Sequence, residues 1–301
     1  MKTNKMVLKT GPEEAACDLH VHTACSDGSA SVEYVLDYAK RAGLRYIAVT
    51  DHDTLAGSKK ARAAAGPGGP EVIPGVEISA RDDKRGRNVH MLCYCPKDED
   101  GLQRFMDDTL KRRRQQKLQM AWKISRLYPG FTVEAVEQQA LESESIYECH
   151  IMQVLCDLGY TNTAIGPLME ELISSRGSCY VPNSYPSARE AAEAIRDAGG
   201  IAVVAHPEQF DSFALVEELA QSGLIQGVEV WHPRNSEAAR TRLRQLARQY
   251  DLAETGGSDY HGQYAKTPNP LAKCTCTPQQ AEKLKERAGY GRKRTDHGKI
   301  I

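Results

Sequence analysis

The sequence predicts an α/β protein, an irregular (β/α) barrel of about seven strands interrupted once by a helical insertion. Three observations predict it. Strand-like apolar runs alternate with amphipathic helical stretches in both flanks of the chain. Histidine and acidic side chains recur where these runs end, the position from which barrel strands supply chemistry. Residues 100–187 show no strand pattern at all.

Residues 17–22 alternate, with Asp18, His20 and His22 on one face and Leu19 and Val21 on the other. Residues 31–42 form a helix whose Val32, Val35, Leu36 and Ala39 share a face, and Gly43 ends it. Residues 46–50 are the second strand and 56–65 the second helix. Residues 71–79 hold a third strand and 88–95 a fourth. A long charged helix follows over residues 100–127, then short helices over 133–176, one broken at Gly166-Pro167. Strand–helix alternation resumes with a helix at 188–198, closed by Gly199-Gly200, and a wholly apolar strand at 201–205. Such a strand suits a parallel sheet buried on both faces. A helix at 213–222, a strand at 225–231, a helix at 236–250 and a strand at 252–256 complete the series. The expected domains are therefore a lead-in (1–14), a first barrel part (15–99), an insertion (100–187), a second barrel part (188–290) and a loose basic tail (291–301).

Composition sets the outer bounds. The chain has 301 residues, 41% hydrophobic and 26% charged, enough for one large domain with an insert. A net charge of -1 gives no global pull toward nucleic acid or membrane. No apolar run approaches the roughly 18 residues of a membrane span. The polar start lacks an apolar signal core, so a cytoplasmic protein is expected, as a monomer. The nine cysteines include Cys93-Tyr94-Cys95 and Cys274-Thr275-Cys276, not the C-x-x-C spacing of zinc ribbons. Free buried thiols are the expectation.

The chemistry-bearing residues form one pattern. Asp18-Leu19-His20-Val21-His22, Ser26-Asp27-Gly28, Thr50-Asp51-His52-Asp53, Val76-Glu77, Val89-His90, Ala205-His206-Pro207 and Ser258-Asp259-Tyr260-His261 each follow or end an apolar run. Imidazole and carboxylate are the usual ligands of zinc, manganese and iron. A set this large, placed at strand ends, reads as a multinuclear metal site. Asp18, Asp51 and Asp53 either orient ligand imidazoles or cap turns. The 26–29 stretch opens a helix, where free amides cap it or take a phosphate oxygen.

These motifs, in this order and over almost the whole chain, resemble the PHP (polymerase and histidinol phosphatase) family of metal-dependent phosphoesterases. The barrel-plus-insert layout resembles its nucleotide-phosphatase and 5′–3′ exoribonuclease branch. The resemblance implies up to three divalent ions, Mn, Fe or Zn. His20, His22, Glu77 and Asp259 would hold the first. Glu77 would bridge to a second held by His90 and His206, and Asp27, His52 and His261 would hold a third. It also implies a substrate-reading insert. Arg114 and Lys117 are the nearest match to an Arg-x-x-Arg-like element that contacts a second phosphate, against the alternative of a solvated helix face within Arg112-Arg113-Arg114. Cys149 and His150 stand where relatives carry Pro-His after an Arg, here Glu148, so His150 is either a substrate contact or an ordinary helix residue.

The expected function follows. Ions neutralise a phosphate ester and bring the pKa of bound water toward about 7, so a metal-activated hydroxide serves and no protein nucleophile is required. His206 and His232 are candidate acid–base groups, and His297 in the tail is expected to be inert. Trp231, Tyr260 and Tyr264 stack on a base or belong to core and rim. The expected activity is hydrolysis of nucleotide phosphate monoesters, AMP-like or 3′,5′-bisphosphate. The alternatives are trimming of short RNA, histidinol phosphate hydrolysis, or a metal-stabilised scaffold without catalysis.

Overall fold

The computed structural model describes residues 16–290. The lead-in of 1–14, the basic tail of 291–301 and His297 lie outside the described residues. Strands β1 (Cys17–Val21), β2 (Tyr46–Val49) and β3 (Glu71–Val72) form a parallel sheet in that order. Helices α1 (Val32–Arg41) and α2 (Ala56–Ala64) make the crossovers. Ser31 caps α1, its hydroxyl accepting the Tyr34 N–H.

The single strand expected over 71–79 is two strands. Pro74 has no N–H to give to a ladder, and there the chain leaves β3 and enters β4 (Gly75–Asp82) of a second sheet. β4 runs antiparallel to β5 (Arg87–Tyr94). The chain then passes through α3 (Glu99–Ser125), α4 (Val133–Gln139), α5 (Glu148–Asp157) and α6 (Pro167–Ile173) before α7 (Ala188–Asp197). It returns with β6 (Ile201–Val204), antiparallel to β5, followed by α8 (Phe213–Gln221), β7 (Gly227–Trp231), α9 (Glu237–Gln249), β8 (Ala253–Gly256) and α10 (Pro278–Ala288). β6, β7 and β8 are parallel.

The expected wall of about seven strands is thus eight strands in two separate sheets, of three and five. The sheets meet through single bridges, His52 with Glu77 and Val21 with Tyr260. At the first, Asp53 N–H donates to Glu77 O at 2.8 Å; at the second, His22 N–H donates to Tyr260 O at 2.9 Å. Both junctions carry metal-type ligands, so the site sits where the sheets are stitched together.

Four apolar clusters hold this arrangement. One packs α7, α8 and α9 on the five-stranded sheet through Val76, Met91, Ala192, Val204, Val216, Val228 and Leu243. A second packs α1 and α2 on the three-stranded sheet through Val35, Ala39, Ile47 and Ala61. A third lies between the sheets and α10, with Leu19, Ala48, Leu92, Val203 and Leu284. The fourth is built mainly from α3–α6, with Met120, Ile124, Val136, Ile151, Leu155 and Leu172, and Tyr264 from beyond β8 packs against it. All nine cysteines are free thiols, seven of them buried. No described helix is long and apolar enough to cross a membrane.

Candidate metal centre

Five imidazoles surround one carboxylate. Glu77, 1% exposed on β4, has His90 Nδ1 at 3.0 Å and His206 Nε2 at 2.9 Å from Oε1. Its Oε2 lies 3.2 Å from His20 Nε2, 3.2 Å from His22 Nε2 and 3.3 Å from His52 Nδ1. Asp259 Oδ1 stands 3.6 Å from His20 Nε2 and 3.4 Å from His22 Nε2. Asp27 gathers the other side: Oδ1 is 3.4 Å from His22 Nδ1, and Oδ2 is 3.4 Å from His261 Nε2 and 3.8 Å from His52 Nε2. All nine side chains singled out as ligands therefore meet in one place.

The donor set fits divalent ions. His20 Nε2, both nitrogens of His22, His52 Nδ1 and His206 Nδ1 are buried without a hydrogen-bond partner. Such orphans are costly unless something else satisfies them. Two ligands about 2.1 Å from one ion stand roughly 3.0–3.5 Å apart, which is the spacing seen for most of these pairs. Overlapping groups such as His22–Asp27–His52–His261, His20–His22–Asp259, His20–Glu77–His206 and His52–Glu77–His90 bring their ligand atoms within 4.8 Å of one another.

Electrostatics keeps the acids ready to bind cations. Burial opposes the charge of Glu77, yet the imidazoles of His20, His90 and His52 outweigh it and hold the carboxyl well below the usual range. Burial opposes the charge of Asp259 too, and His261 and His20 overcome it. Burial pushes His206 down to about 4, against a pull upward from Glu77, which leaves a neutral imidazole of the kind metals require.

The backbone is shaped around these groups. Asp53, His206 and Asp259 adopt positive φ of 58°, 25° and 54°, conformations that non-glycine residues hold only under constraint. Gly257 admits the close approach of the β8 end to β1, because a Cβ there would lie 2.4 Å from the His20 backbone N. The expectation that every ligand follows a strand's carboxyl end is corrected for two of them. Glu77 and His90 lie within the β4–β5 hairpin, whose antiparallel pairing places mid-strand residues beside the site.

Asp18, Asp51 and Asp53 hold loops, and their hydrogen bonds go to backbone N–H groups, hydroxyls and a guanidinium rather than to imidazole rings. Asp18 accepts N–H bonds from Ser258 at 2.8 Å and Ala272 at 2.9 Å, tying the β8 loop to β1. Asp51 accepts from Thr23 N–H at 2.8 Å and from the Ser26 hydroxyl at 2.6 Å, fixing the loop that carries Asp27. Asp53 takes the Ser79 N–H at 2.8 Å and the Arg113 guanidinium. The acid that does hold one of these imidazoles is Glu229, which sequence reasoning missed. It is fully buried on β7, its Oε1 3.0 Å from His20 Nδ1 and its Oε2 accepting the His206 N–H at 2.8 Å. Its only signal was one charge inside the apolar run Val228-Glu229-Val230. His232, also buried, accepts the Arg234 N–H at Nδ1 and turns Nε2 to 3.4 Å from Asp259 Oδ2.

The α3 cations separate. Arg113, named in the basic cluster but not singled out as Arg114 was, is the buried one: it bonds Asp53 and the Ser79 hydroxyl and lies 4.7 Å over the Tyr147 ring. Arg114 pairs with Glu137 at 2.6 Å and does not line the cavity that Lys117 lines. Lys117 is buried and bonds Glu148 at 2.5 Å. His150 Nδ1 accepts the Tyr147 N–H at 3.1 Å and so caps α5. A cavity of about 390 Å³ opens beside the centre, with Asp27 on its metal side and Lys117, Glu148, Cys149 and Tyr264 among its lining, but neither Arg114 nor His150.

Comparison with known proteins agrees with this geometry. A model of the PHP domain matches residues 18–203. The phosphoribosyl 1,2-cyclic phosphate 1,2-diphosphodiesterase of Eggerthella lenta is 38% identical over 258 residues, 84% of this chain and 96% of the relative. A 5′–3′ exoribonuclease of Haemophilus influenzae is 27% identical over 250 residues, 81% of this chain and 89% of the relative. A solved structure from Bifidobacterium adolescentis, described as that of a metal-dependent phosphoesterase, superposes with a TM-score of 0.82 at 29% identity, covering 92% of this chain and 98% of its own. With its acids and imidazoles gathered on one carboxylate, the chain belongs to the PHP-domain family and is a metal-dependent phosphoesterase.

Proposed function

We propose that the chain hydrolyses phosphate esters of small ribose-containing molecules, nucleotides or phosphoribosyl compounds, with the reacting phosphate at the metal centre and the sugar in the neighbouring cavity. The observation that carries this reading is the cavity of about 390 Å³ that runs from Asp27 to the insertion helices. Its volume suits a compact ligand. The name of the Eggerthella relative, a phosphoribosyl cyclic phosphate diesterase, supports it. The runner-up is 5′–3′ cleavage of short RNA, supported by the Haemophilus relative.

His20, His22, Glu77 and Asp259 would hold one ion, Glu77, His90 and His206 a second, and Asp27, His52 and His261 a third, of manganese, iron or zinc type. Bound ions would neutralise the phosphate and acidify coordinated water. The chain's own groups set the stage. Glu229 holds His20 through Nδ1, which leaves Nε2 turned to Glu77 and Asp259. His232 keeps a proton at Nε2 toward Asp259, since its Nδ1 is already an acceptor. The insertion closes the cavity and reads what the phosphate carries.

The test is phosphate release by manganese-loaded protein from phosphoribosyl 1,2-cyclic phosphate, AMP, adenosine 3′,5′-bisphosphate, histidinol phosphate and a short 5′-phosphorylated RNA. The reading expects the small ribose phosphates to show the highest kcat/KM. Fastest turnover of RNA would favour the exoribonuclease instead, and no release from any substrate by metal-replete protein would reject both.

A further inference from the structure

Two buried polar atoms at the cavity have no partner among the described residues. Gln116 is 6% exposed. Its amide orientation is fixed, because only the NH₂ can donate to the Val181 carbonyl, 2.5 Å from Nε2. Oε1 is left buried without a partner, and Gln116 lines the cavity. Asn183, two residues beyond Val181, also lines it, and its Nδ2 is buried without a partner. Beside these orphans lies an ion pair in the same wall, Lys117 Nζ to Glu148 Oε1 at 2.5 Å, with Lys117 2% exposed. The wall therefore offers an unmet acceptor, an unmet donor, a cation and an anion.

Which ligand groups can answer all four is a matter of inventory. A second phosphate is an acceptor only. It would satisfy Asn183 and Lys117, leave the Gln116 oxygen orphaned and press its charge against Glu148. An ammonium or guanidinium group has the opposite defect. A hydroxyl donates and accepts at once, and a sugar presents several on adjacent carbons. We infer that Gln116, Lys117, Glu148 and Asn183 form a specificity-determining set that recognises the free hydroxyls of a sugar rather than a second phosphate. The inference rests on the proposed function only for the phosphate end of the ligand. A nucleobase edge also carries donors and acceptors, so the deciding pair of probes carries no base, and the two adenine nucleotides are compared only with each other.

The experiment measures equilibrium binding of ribose 5-phosphate and 2-deoxyribose 5-phosphate to manganese-loaded, full-length protein, with hydrolysis of the same pair followed separately. A site built to bond a hydroxyl rejects the analogue that lacks it, because its own polar groups are left unpaired. The ribo form should bind about tenfold more tightly or better. Asn183→Ala and Gln116→Met, checked for folding by thermal melting, should each move the ribo-to-deoxy ratio toward one. Adenosine 3′,5′-bisphosphate, with a phosphate in place of the 3′-hydroxyl, should bind more weakly than AMP. Equal binding of the two sugar phosphates by the unaltered protein would overturn the inference, and so would tighter binding of the bisphosphate. Because binding and hydrolysis are followed separately, a preserved ribo preference in a protein that hydrolyses neither sugar upholds the hydroxyl site while refuting the proposed function. Hydrolysis of both with no preference does the reverse.

Discussion

Glu77 concentrates the chemistry of the centre on one side chain, since five imidazoles approach its two oxygens. Glu77→Gln should abolish phosphatase activity and lower the bound metal, measured by elemental analysis; full metal content with near-normal turnover would contradict the bridging role. Glu229 acts one step back. Removing a carboxylate that orients a ligand imidazole costs metal affinity about 10–100-fold. Glu229→Gln should show that loss in a manganese titration, with the fold intact. His150 offers a test through pH. Burial pushes its imidazole down to about 4, against upward pulls from Asp27 and Glu148. The unfolded chain takes up this proton near pH 6.5, whereas the folded chain resists it until about 4. Stability contributed by the neutral ring is present above pH 6.5 and lost as pH falls to about 4, by roughly 3 kcal/mol in all. His150→Gln keeps an acceptor for the Tyr147 N–H and removes that titration. Urea unfolding at pH 7 and pH 4.5 should show a smaller acid loss in the variant; equal losses would exclude His150 as a source. At this scale the nine clustered side chains were legible because His, Asp and Glu stand out at the ends of apolar runs. Glu229 was not, since it lies inside such a run and declares itself only through its partner on another strand.

Helix α3 joins the insertion to the sheets through Gln103 near its start and through the buried Arg113 further along. Arg113 reaches Asp53 and Ser79, and Tyr147 of the α5 cap sends its hydroxyl to the His52 carbonyl at 2.8 Å. Arg113→Ala strands a buried carboxylate, a change of about 3–5 kcal/mol. Arg114→Ala, at a half-exposed pair, should stay within about 0.5 kcal/mol. Thermal melts of the two single variants would reveal the contrast, and similar melting points would undo the assignment of Arg113 as the pin. Three consecutive arginines are equivalent on paper. Each helical residue turns about 100° from the last, so only packing against the sheet decides which one faces inward. The split of β3 from β4 had a visible cause in Pro74, but its outcome depended on a second sheet being there to receive the chain.

For the molecule as a whole, ions that bind only the folded chain must stabilise it. At a hundredfold excess over its dissociation constant an ion adds about 2.7 kcal/mol. For a chain of this size that raises Tm by roughly 5–10 °C. Manganese should produce such a rise and a chelator should reverse it; an unchanged melting point with excess manganese would mean that the imidazole cluster binds no ion. The α/β class was legible from alternation along the chain, because each strand and helix writes its own period locally. The two-sheet arrangement was not, because register between distant strands leaves no local mark. That long reach bears on how the protein is made. His20 is supplied early in the chain, whereas Asp259 and His261 follow β8, the last strand. A growing polypeptide still short of β8 already holds Glu77, His90 and His206 but lacks Asp259 and His261. The centre is therefore completed only once β8 has been made, and a truncated product should bind fewer ions than the whole chain.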